Sequence, residues 1–226
     1  MHLKRLIVAL IALPLLYFLT VRLGPGAFLV ILTIVTAGAQ AEFYGMYKTA
    51  PALSVIGIIG GVLMITSSFL IESRFVPEAV SANFHPAVIM MTFLIMSTAR
   101  LFLVRDPSAS LHDMAPAITG FVYIPTLLLP QWYLRLNGYE WILLLYGSVW
   151  ASDSLAYYIG KGMGKRKLYV EVSPNKTVEG AFGSVLGGAL SAFILGRLLF
   201  SDMNGMLFAF IGLVIGAVTI AGDLVE

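Results

Sequence analysis

The sequence reads VEGAFGSVLGGALSAFILGRLLF at residues 178–200 and MLFAFIGLVIGAVTIAGD at residues 206–223. A helix needs roughly 20 mostly apolar residues to cross the hydrocarbon core of a bilayer. Both runs are close to that length and carry few charges, so each predicts a membrane-spanning helix. Small residues recur at four-residue spacing, as in Gly183 and Gly187 or Gly212 and Gly216, and this spacing is typical of helices that pack closely in a membrane.

Similar apolar runs continue through the rest of the chain. Together they predict about eight spans, at residues 6–21, 27–46, 52–71, 84–104, 114–129, 139–160, 178–200 and 206–223. The chain is therefore expected to be an all-α, polytopic integral membrane protein. The run at 6–21 also resembles a signal peptide, but no cleavage site of small residues follows it, so we interpret it as a retained helix.

The composition favours a membrane protein and excludes several other classes. Hydrophobic residues make up 59% of the 226 residues and charged residues only 12%, whereas soluble domains carry about 25% charged residues. This hydrophobic excess excludes a disordered chain and a basic nucleic-acid-binding protein, and with a net charge of only +2 any basic surface must be local. Cysteine is absent, which excludes disulfides, thiolate metal sites and thiol catalysis.

The basic residues predict the orientation of the spans. With the N-terminus inside, the inner side receives 10 of the 14 Lys and Arg residues and the outer side receives 4. Since cytoplasmic loops are enriched in Lys and Arg, both termini and the loop 161–176 are expected in the cytoplasm of a multi-pass cell-membrane protein. We divide the chain into an N-terminal transmembrane region, 1–138, and a second transmembrane region, 139–226, with most of the polar chemistry.

Two acids lie in predicted spans near this cytoplasmic side. Asp153 precedes Gly160 by seven residues, about 10 Å along a helix, and Asp223 ends the last span. An acid inside a membrane is a functional candidate by default, although a hydrogen bond to a Ser or Tyr in a helix bundle would also explain Asp153. Two carboxylates meet phosphates most simply through a divalent cation such as Mg²⁺, so the pair predicts phosphoryl or nucleotidyl transfer at the membrane surface.

The loop at residues 161–177, KGMGKRKLYVEVSPNKT, is basic and contains glycine. Its composition fits an anchor for anionic lipid as well as a nucleotide site, and both interpretations stay open. Ser173-Pro174 predicts a helix start, because Ser caps helices and Pro suits their first position. We therefore expect Lys176 at a helix start that binds an anion, with Glu179 either paired to it within the helix or part of the site.

Three stretches match a known pattern when read together: DSLAYYIG at residues 153–160, SPNKTVEG at 173–180 and GDLVE at 222–226. They resemble the phosphatidate cytidylyltransferase family, also called CDP-diacylglycerol synthases. The SPNKTVEG run is the most specific of the three. The resemblance covers roughly residues 153–183 and the last five residues, while residues 1–140 match only in their hydrophobic pattern.

The resemblance implies transfer of CMP from CTP to phosphatidate, giving CDP-diacylglycerol and pyrophosphate, with Mg²⁺ as the cofactor. The residues that it implicates are catalytic Asp153, Lys176 and Glu179, substrate-binding Ser173, Lys176 and Thr177, and metal-binding Asp223 and Asp153. The implied partners are CTP, phosphatidate or a related lipid phosphate, and membrane lipid, without nucleic acid. A homodimer is left open.

The sequence departs from the family pattern at its end. The family continues after the Gly-Asp stretch with a Lys-Asp segment, a His-Gly-Gly run and an Asp-Arg-x-Asp signature, whereas this sequence stops at Glu226. The chain is therefore expected to be C-terminally truncated or divergent. Because the missing signature supplies a second metal-binding acid, the 226 residues alone are expected to be inactive.

Related transferases and other classes of membrane protein are the alternatives. CTP-dependent polyprenol kinases and CDP-archaeol synthases have similar membrane layouts but act on other lipids. A small transporter would use Asp153 as an ion site, but the acids gather at one leaflet and no paired repeat with broken helices is evident. A structural membrane protein would explain the glycines but not residues 173–180.

Overall fold

The computed structural model describes residues 14–15, 17–103 and 106–225. Within these residues the long helices are α1 (Pro25–Met46), α2 (Pro51–Glu72), α3 (Glu78–Phe102), α4 (Ser110–Leu136), α5 (Tyr139–Met163), α6 (Val178–Leu199) and α7 (Gly205–Val225). A 3-10 turn, Pro107–Ala109, precedes α4, and the strands β1 (Lys167–Tyr169) and β2 (Ser173–Thr177) form a hairpin between α5 and α6. The predicted span at 6–21 lies largely outside the described residues, and its described part is helical.

The helices confirm an all-α polytopic membrane protein. Five of them, α1, α2, α3, α6 and α7, are long and apolar enough to cross a membrane. The helices α4 and α5 have 27 and 25 residues but are not among those five, so the predicted count of eight spans is not confirmed. The five helices carry large apolar side chains on their outer faces, for example Ile34, Met90, Phe182 and Phe210. A helix that is apolar on all sides is typical of a membrane span.

Proline and glycine fix several helix starts. Pro25 and Pro51 occupy the first positions of α1 and α2. An N–H at that position has no partner within the helix, so proline, which lacks an N–H, costs no hydrogen bond there. Gly138 precedes α5 with φ of 130°, a backbone conformation that residues with a Cβ rarely adopt. The two-residue link from α4 to α5 therefore depends on a glycine.

The contacts divide the chain into two units, Met1–Leu136 and Asn137–Glu226. In the first unit, a core of buried apolar side chains lies among α2, α3 and α4, with Leu53, Met96, Ala117 and Phe121 at its centre. Lipid is as apolar as these side chains, so removal from water does not drive the helices together within a bilayer. Close packing and hydrogen bonds between helices have to supply the attraction instead.

A buried glutamine supplies such hydrogen bonds in the first unit. The Nε2 atom of Gln40 on α1 donates to the carbonyl oxygen of Gly57 on α2 at 3.1 Å and to that of Gly120 on α4 at 3.2 Å. Gly61 makes room for this side chain, since a Cβ at residue 61 would overlap the Gln40 amide. One side chain thus fixes three helices against one another.

The second unit is a bundle of α5, α6 and α7 in direct backbone contact. A Cβ at Gly183 would lie 2.9 Å from the carbonyl oxygen of Leu155, and a Cβ at Gly216 would lie 2.6 Å from that of Ser184. Real Cβ atoms essentially never approach closer than 3.0 Å. The predicted close packing of the glycine-lined helices is therefore confirmed.

The prediction that Ser173-Pro174 starts a helix is wrong. Residues Ser173–Thr177 form β2, which pairs antiparallel with β1 through Lys167 opposite Thr177 and Tyr169 opposite Ser173. The helix α6 begins at Val178 instead, after Thr177. A two-stranded hairpin consists of edge strands, which tolerate a proline such as Pro174. The basic loop is thus an ordered hairpin, and pairing across it outweighs the local capping signal.

Candidate active site

An ion pair between β2 and the last turn of α7 forms the centre of the candidate site. The Nζ atom of Lys176 lies 3.3 Å from Oδ2 of Asp223 and also donates to the backbone carbonyl of Asp223. The two side chains are 26% and 52% exposed. A lysine is favoured at a helix C-terminus by the free carbonyl oxygens and by the helix dipole. Lys176 is therefore attached to the end of α7 at two points.

Asp153 approaches this ion pair from α5. Its side chain is exposed, and the charges of Asp223 and Lys176 both act on its carboxyl group, the first by repulsion and the second by attraction. The structure thus brings Asp153, Lys176 and Asp223 together, although they lie on three different elements. Their predicted roles in catalysis and in metal and substrate binding stay predictions.

A chain of buried hydroxyl groups fixes the helices beside the site. Ser152, the residue before Asp153, has its Oγ atom 2.6 Å from Oγ of Ser184 on α6 and 3.0 Å from the Ser184 carbonyl oxygen. The Ser184 hydroxyl in turn lies 3.2 Å from the carbonyl oxygen of Gly216 on α7. Both serines are buried. The chain joins the three helices that carry or adjoin the site, so it sets the position of Asp153 relative to α6 and α7.

Thr177 fixes the end of the strand that carries Lys176. Its buried Oγ1 atom accepts the backbone N–H of Gly180 at 3.1 Å and so caps α6. A Cβ at Gly164 would lie 2.7 Å from this hydroxyl, and a Cβ at Gly160 would lie 3.1 Å from it. A Cβ at Gly180 would also lie 3.1 Å from it, so Gly160, Gly164 and Gly180 together leave just enough room for the Thr177 side chain. Its hydroxyl group thus has a structural use, and its predicted contact with substrate stays a prediction.

Glu179 holds the base of the hairpin. Its Oε2 atom accepts the backbone N–H groups of Lys165 at 3.1 Å and of Arg166 at 3.2 Å. The proposed pair between Lys176 and Glu179 within one helix is not formed, because Lys176 lies on β2, outside α6. Next to this contact, the N–H of Val178 donates to the Arg166 carbonyl at 2.9 Å. The structure favours a positioning role for Glu179, and its catalytic role stays a prediction.

Ser173 lies at the far end of β2, opposite Tyr169 and next to the turn of the hairpin. Three residues of extended strand span about 10 Å, which separates Ser173 from Lys176 along the chain. Ser173 therefore lies three residues along β2 from the lysine of the ion pair. A contact with substrate there would need a ligand that extends along β2.

Asp153 and Asp223 are the acids that could hold a divalent cation. Within the described parts of the chain, no three His, Cys, Asp or Glu side chains gather as a metal site. Mg²⁺ needs fewer protein ligands than that, because it keeps several waters and binds one or two carboxylates together with substrate phosphates. The two carboxylates therefore fit Mg²⁺, provided that Lys176 leaves Asp223 when the cation binds.

The sequence analysis missed a buried ion pair in the first unit. Nε of Arg100 on α3 lies 2.7 Å from Oδ2 of Asp113 on α4, and the two side chains are only 8% and 5% exposed. Arg100 also donates from Nη2 to the carbonyl oxygen of Asp106 at 3.0 Å. In the orientation count Arg100 is simply one of the 10 inner-side basic residues, although it lies inside the predicted span 84–104. The sequence does carry a signal for this ion pair, because Arg100 lies inside an apolar run and Asp113 directly precedes the next one.

Comparisons with known proteins show what this chain is similar to. The model of a family described as the cytidylyltransferase family matches residues 3–226. A protein of Staphylococcus epidermidis named phosphatidate cytidylyltransferase is 29% identical over 98% of this chain and 82% of its own length. A protein of the same name from Staphylococcus saprophyticus is 28% identical over the same shares. One from Staphylococcus aureus is 33% identical over 62% of this chain and 53% of its own length.

Proposed function

This chain belongs to the cytidylyltransferase family, and from that premise we propose that it transfers CMP from CTP to phosphatidate at the membrane surface, with release of pyrophosphate. It is a nucleotidyltransferase of the membrane, and relatives named phosphatidate cytidylyltransferase support the lipid acceptor. The observation that carries the proposal is the meeting of Lys176, Asp223 and Asp153 at one end of the three-helix bundle. An anion-binding lysine beside two acids suits the transfer of a phosphate-linked group.

The proposed reaction exchanges one phosphorus–oxygen bond for another. A phosphate oxygen of phosphatidate attacks the α-phosphorus of CTP, and the bond from that phosphorus to the bridging oxygen of the β-phosphate breaks. The products are CDP-diacylglycerol and pyrophosphate. All the participants are anionic, so the site has to reduce repulsion between phosphates before they can approach each other.

Lys176 is the residue proposed to bind a phosphate. In the structure its charge is compensated by Asp223, and its partly exposed side chain has a flexible four-carbon stem. A phosphate carries more negative charge than a carboxylate and would compete for the lysine. Ser173 is proposed to contact the nucleotide further along β2. Thr177 and Glu179 are proposed to keep β2 in place, because their polar atoms contact backbone groups.

Mg²⁺ is the proposed cofactor, and Asp153 and Asp223 are the residues that would hold it. When bound, a divalent cation offsets the negative charge on the phosphates and on the leaving pyrophosphate. Asp153 and Asp223 lie close enough for two ionised carboxylates to repel each other. This repulsion supports the assignment, because a cation between two such groups replaces repulsion with attraction.

The chain extended by the family's C-terminal signature, in phosphatidate-containing vesicles with labelled CTP, tests the proposal, and the 226 residues alone, assayed beside it, test the expectation that they are inactive. We expect the label of [α-³²P]CTP in the lipid product and that of [γ-³²P]CTP in pyrophosphate. Asp223→Asn is expected to abolish Mg²⁺-dependent transfer, and Lys176→Ala to weaken substrate binding or turnover. Asp202→Asn is the matched control, because Asp202 is an exposed acid in the loop between α6 and α7. Lipid labelled from the γ-phosphate would indicate a CTP-dependent lipid kinase, and normal activity of Asp223→Asn would exclude the metal role.

The cytoplasmic position of the site is part of the proposal and has its own test. The chain has no cysteine, so a Lys165→Cys variant offers one thiol, in the basic hairpin. In inside-out vesicles an impermeant maleimide is expected to label it, and in right-side-out vesicles it is not. The reverse pattern would overturn the orientation. A homodimer stays a prediction, which light scattering of the detergent-solubilised chain tests.

A further inference from the structure

The hairpin exposes apolar side chains that the transfer reaction does not use. Tyr169 at the end of β1 is 49% exposed, and Val170 and Val172 in the turn are 60% and 50% exposed. Tyr169, Val170 and Val172 are called the hairpin tip below. Neighbouring exposed apolar groups on a polar loop mark a contact with another molecule or with lipid.

The base of the same hairpin is basic. Lys165 and Lys167 are exposed, and neither forms an ion pair within 4 Å with a residue in 17–103 or 106–225. The contact from Glu179 to Lys165 and Arg166 uses backbone N–H groups, so it holds the hairpin without occupying the lysine amines. The base is therefore rigidly attached while its charges are left to interact with another group.

We propose that the hairpin docks on the anionic lipid surface of the membrane in which the chain lies. The tip enters the headgroup region, and Lys165 and Lys167 contact the phosphates of anionic lipids. An apolar surface flanked by basic residues is the combination by which proteins bind the surface of anionic bilayers. Tyrosine is enriched at this depth because its ring is apolar and its hydroxyl group is polar.

The position of the hairpin in the chain supports this occupant. The strand β2 leads directly into α6, which is one of the helices long and apolar enough to cross the membrane. The base of the hairpin therefore lies where α6 leaves the bilayer. From there the five residues of β2 extend over about 17 Å towards the tip. The charge at the base of the hairpin also matches, since bilayer surfaces rich in anionic lipid attract lysine and arginine, and the exposed Lys165, Arg166 and Lys167 outnumber the exposed Glu171 of the turn.

Docking would bring anionic lipid next to the candidate site. The residues of β2 include both Ser173 beside the tip and Lys176 at the ion pair. Lipid phosphates held at the base would lie close to the strand that carries Lys176. The inference goes beyond the transfer reaction and does not require it, since the hairpin contacts lipid whether or not CTP is present.

Depth-dependent fluorescence quenching tests the proposal without CTP or phosphatidate. The cysteine-free chain is converted to Val170→Cys, labelled with NBD and reconstituted into vesicles of phosphatidylcholine alone or with 30% phosphatidylglycerol. We expect quenching by a spin label near the lipid headgroup, little quenching by aqueous iodide, and stronger lipid quenching in the anionic vesicles. Asp202→Cys, in the loop between α6 and α7, is the control, and iodide is expected to quench it in both vesicles.

Charge variants separate the two parts of the proposal. The ratio of membrane-inserted to water-exposed tip follows from the quenching by the lipid spin label and by iodide. In anionic vesicles the double variant Lys165→Gln, Lys167→Gln is expected to lower this ratio about fivefold for each lysine removed. Lys165→Arg with Lys167→Arg, which keeps the charge, is expected to leave the ratio unchanged. The proposal is overturned if iodide quenches the Val170→Cys probe fully in both vesicles or if insertion ignores lipid charge. Equal protection from iodide in detergent would also overturn it, because that result would indicate burial against protein. Loss of CTP transfer would not affect any of these readouts.

Discussion

Replacing Gly216 with alanine is expected to push α7 away from α6. A Cβ at residue 216 would lie 2.6 Å from the carbonyl oxygen of Ser184 and 2.7 Å from Cα of Val185. Ordinary contacts of a Cβ atom begin at 3.4 Å, and both neighbours are backbone atoms that no rotamer change can move. The helices therefore have to separate by about 1 Å at this contact, because overpacking is relieved only by backbone shifts.

The cost of this separation follows from the contacts that it disturbs. Overpacking of a close contact typically costs about 1–3 kcal/mol. The same shift stretches the hydrogen bond from Ser184 to the carbonyl oxygen of Gly216, which is already 3.2 Å long. Hydrogen bonds between membrane helices contribute about 0.6 kcal/mol on average. Gly216→Ala is thus expected to lower the free energy of unfolding by about 2–4 kcal/mol.

Reversible unfolding in mixed micelles of increasing SDS content measures this change. The matched control is Gly38→Ala on α1, because an added Cβ at residue 38 meets no atom within 4 Å. The control is expected to unfold within about 0.5 kcal/mol of the unmodified chain, as surface substitutions usually do. Equal stability of the two variants would refute the argument that backbone contact holds α6 against α7.

Three further substitutions test other contacts. Glu179→Gln weakens two bonds that the charge strengthens, so deuterium exchange at the two hairpin-base amides is expected to rise about tenfold for a loss of about 1.4 kcal/mol; unchanged exchange would contradict the anchoring role. Thr177→Val is expected to cost about 1 kcal/mol in SDS unfolding through loss of the helix cap, while Thr177→Ser keeps most of it; equal stability of the two would argue against capping. Arg100→Met removes the charge that faces Asp113 and is expected to cost about 3–5 kcal/mol, and adding Asp113→Leu is expected to restore most of the stability. A double variant no more stable than the single one would show that charge burial is not the cause.

The helices were predictable because their signal is local. Lipid offers no hydrogen-bond partner to the backbone. A long apolar run in a membrane therefore forms a helix, because a helix satisfies the backbone N–H and C=O groups within its own segment. Seven of the eight predicted runs correspond to the helices α1 to α7, with ends that differ by up to seven residues. The three site residues on α5, β2 and α7 were predicted to share one side of the membrane, since Lys176 precedes one apolar run, Asp223 ends another and Asp153 lies seven residues before Gly160.

The hairpin was not predicted, because its cause is not local. Ser173 and Pro174 have the residue types of a helix start, and only pairing with β1 shows that they belong to a strand. The aromatic and β-branched residues Tyr169, Val170 and Val172 were the available signal for a strand hairpin. The partners of Glu179 were equally hidden, since a carboxylate that accepts backbone N–H groups leaves no trace in side-chain types.

The backbone contacts that Gly183 and Gly216 allow make the three-helix frame stiff. With main chain against main chain, there are few side-chain rotamers at these crossings that could readjust and let the helices slide. Adaptation to an arriving molecule then falls on the long stem of Lys176, which can swing while the helices stay fixed. Free and ligand-bound forms should accordingly superpose closely in α5, α6 and α7 and differ chiefly in the direction of one amine.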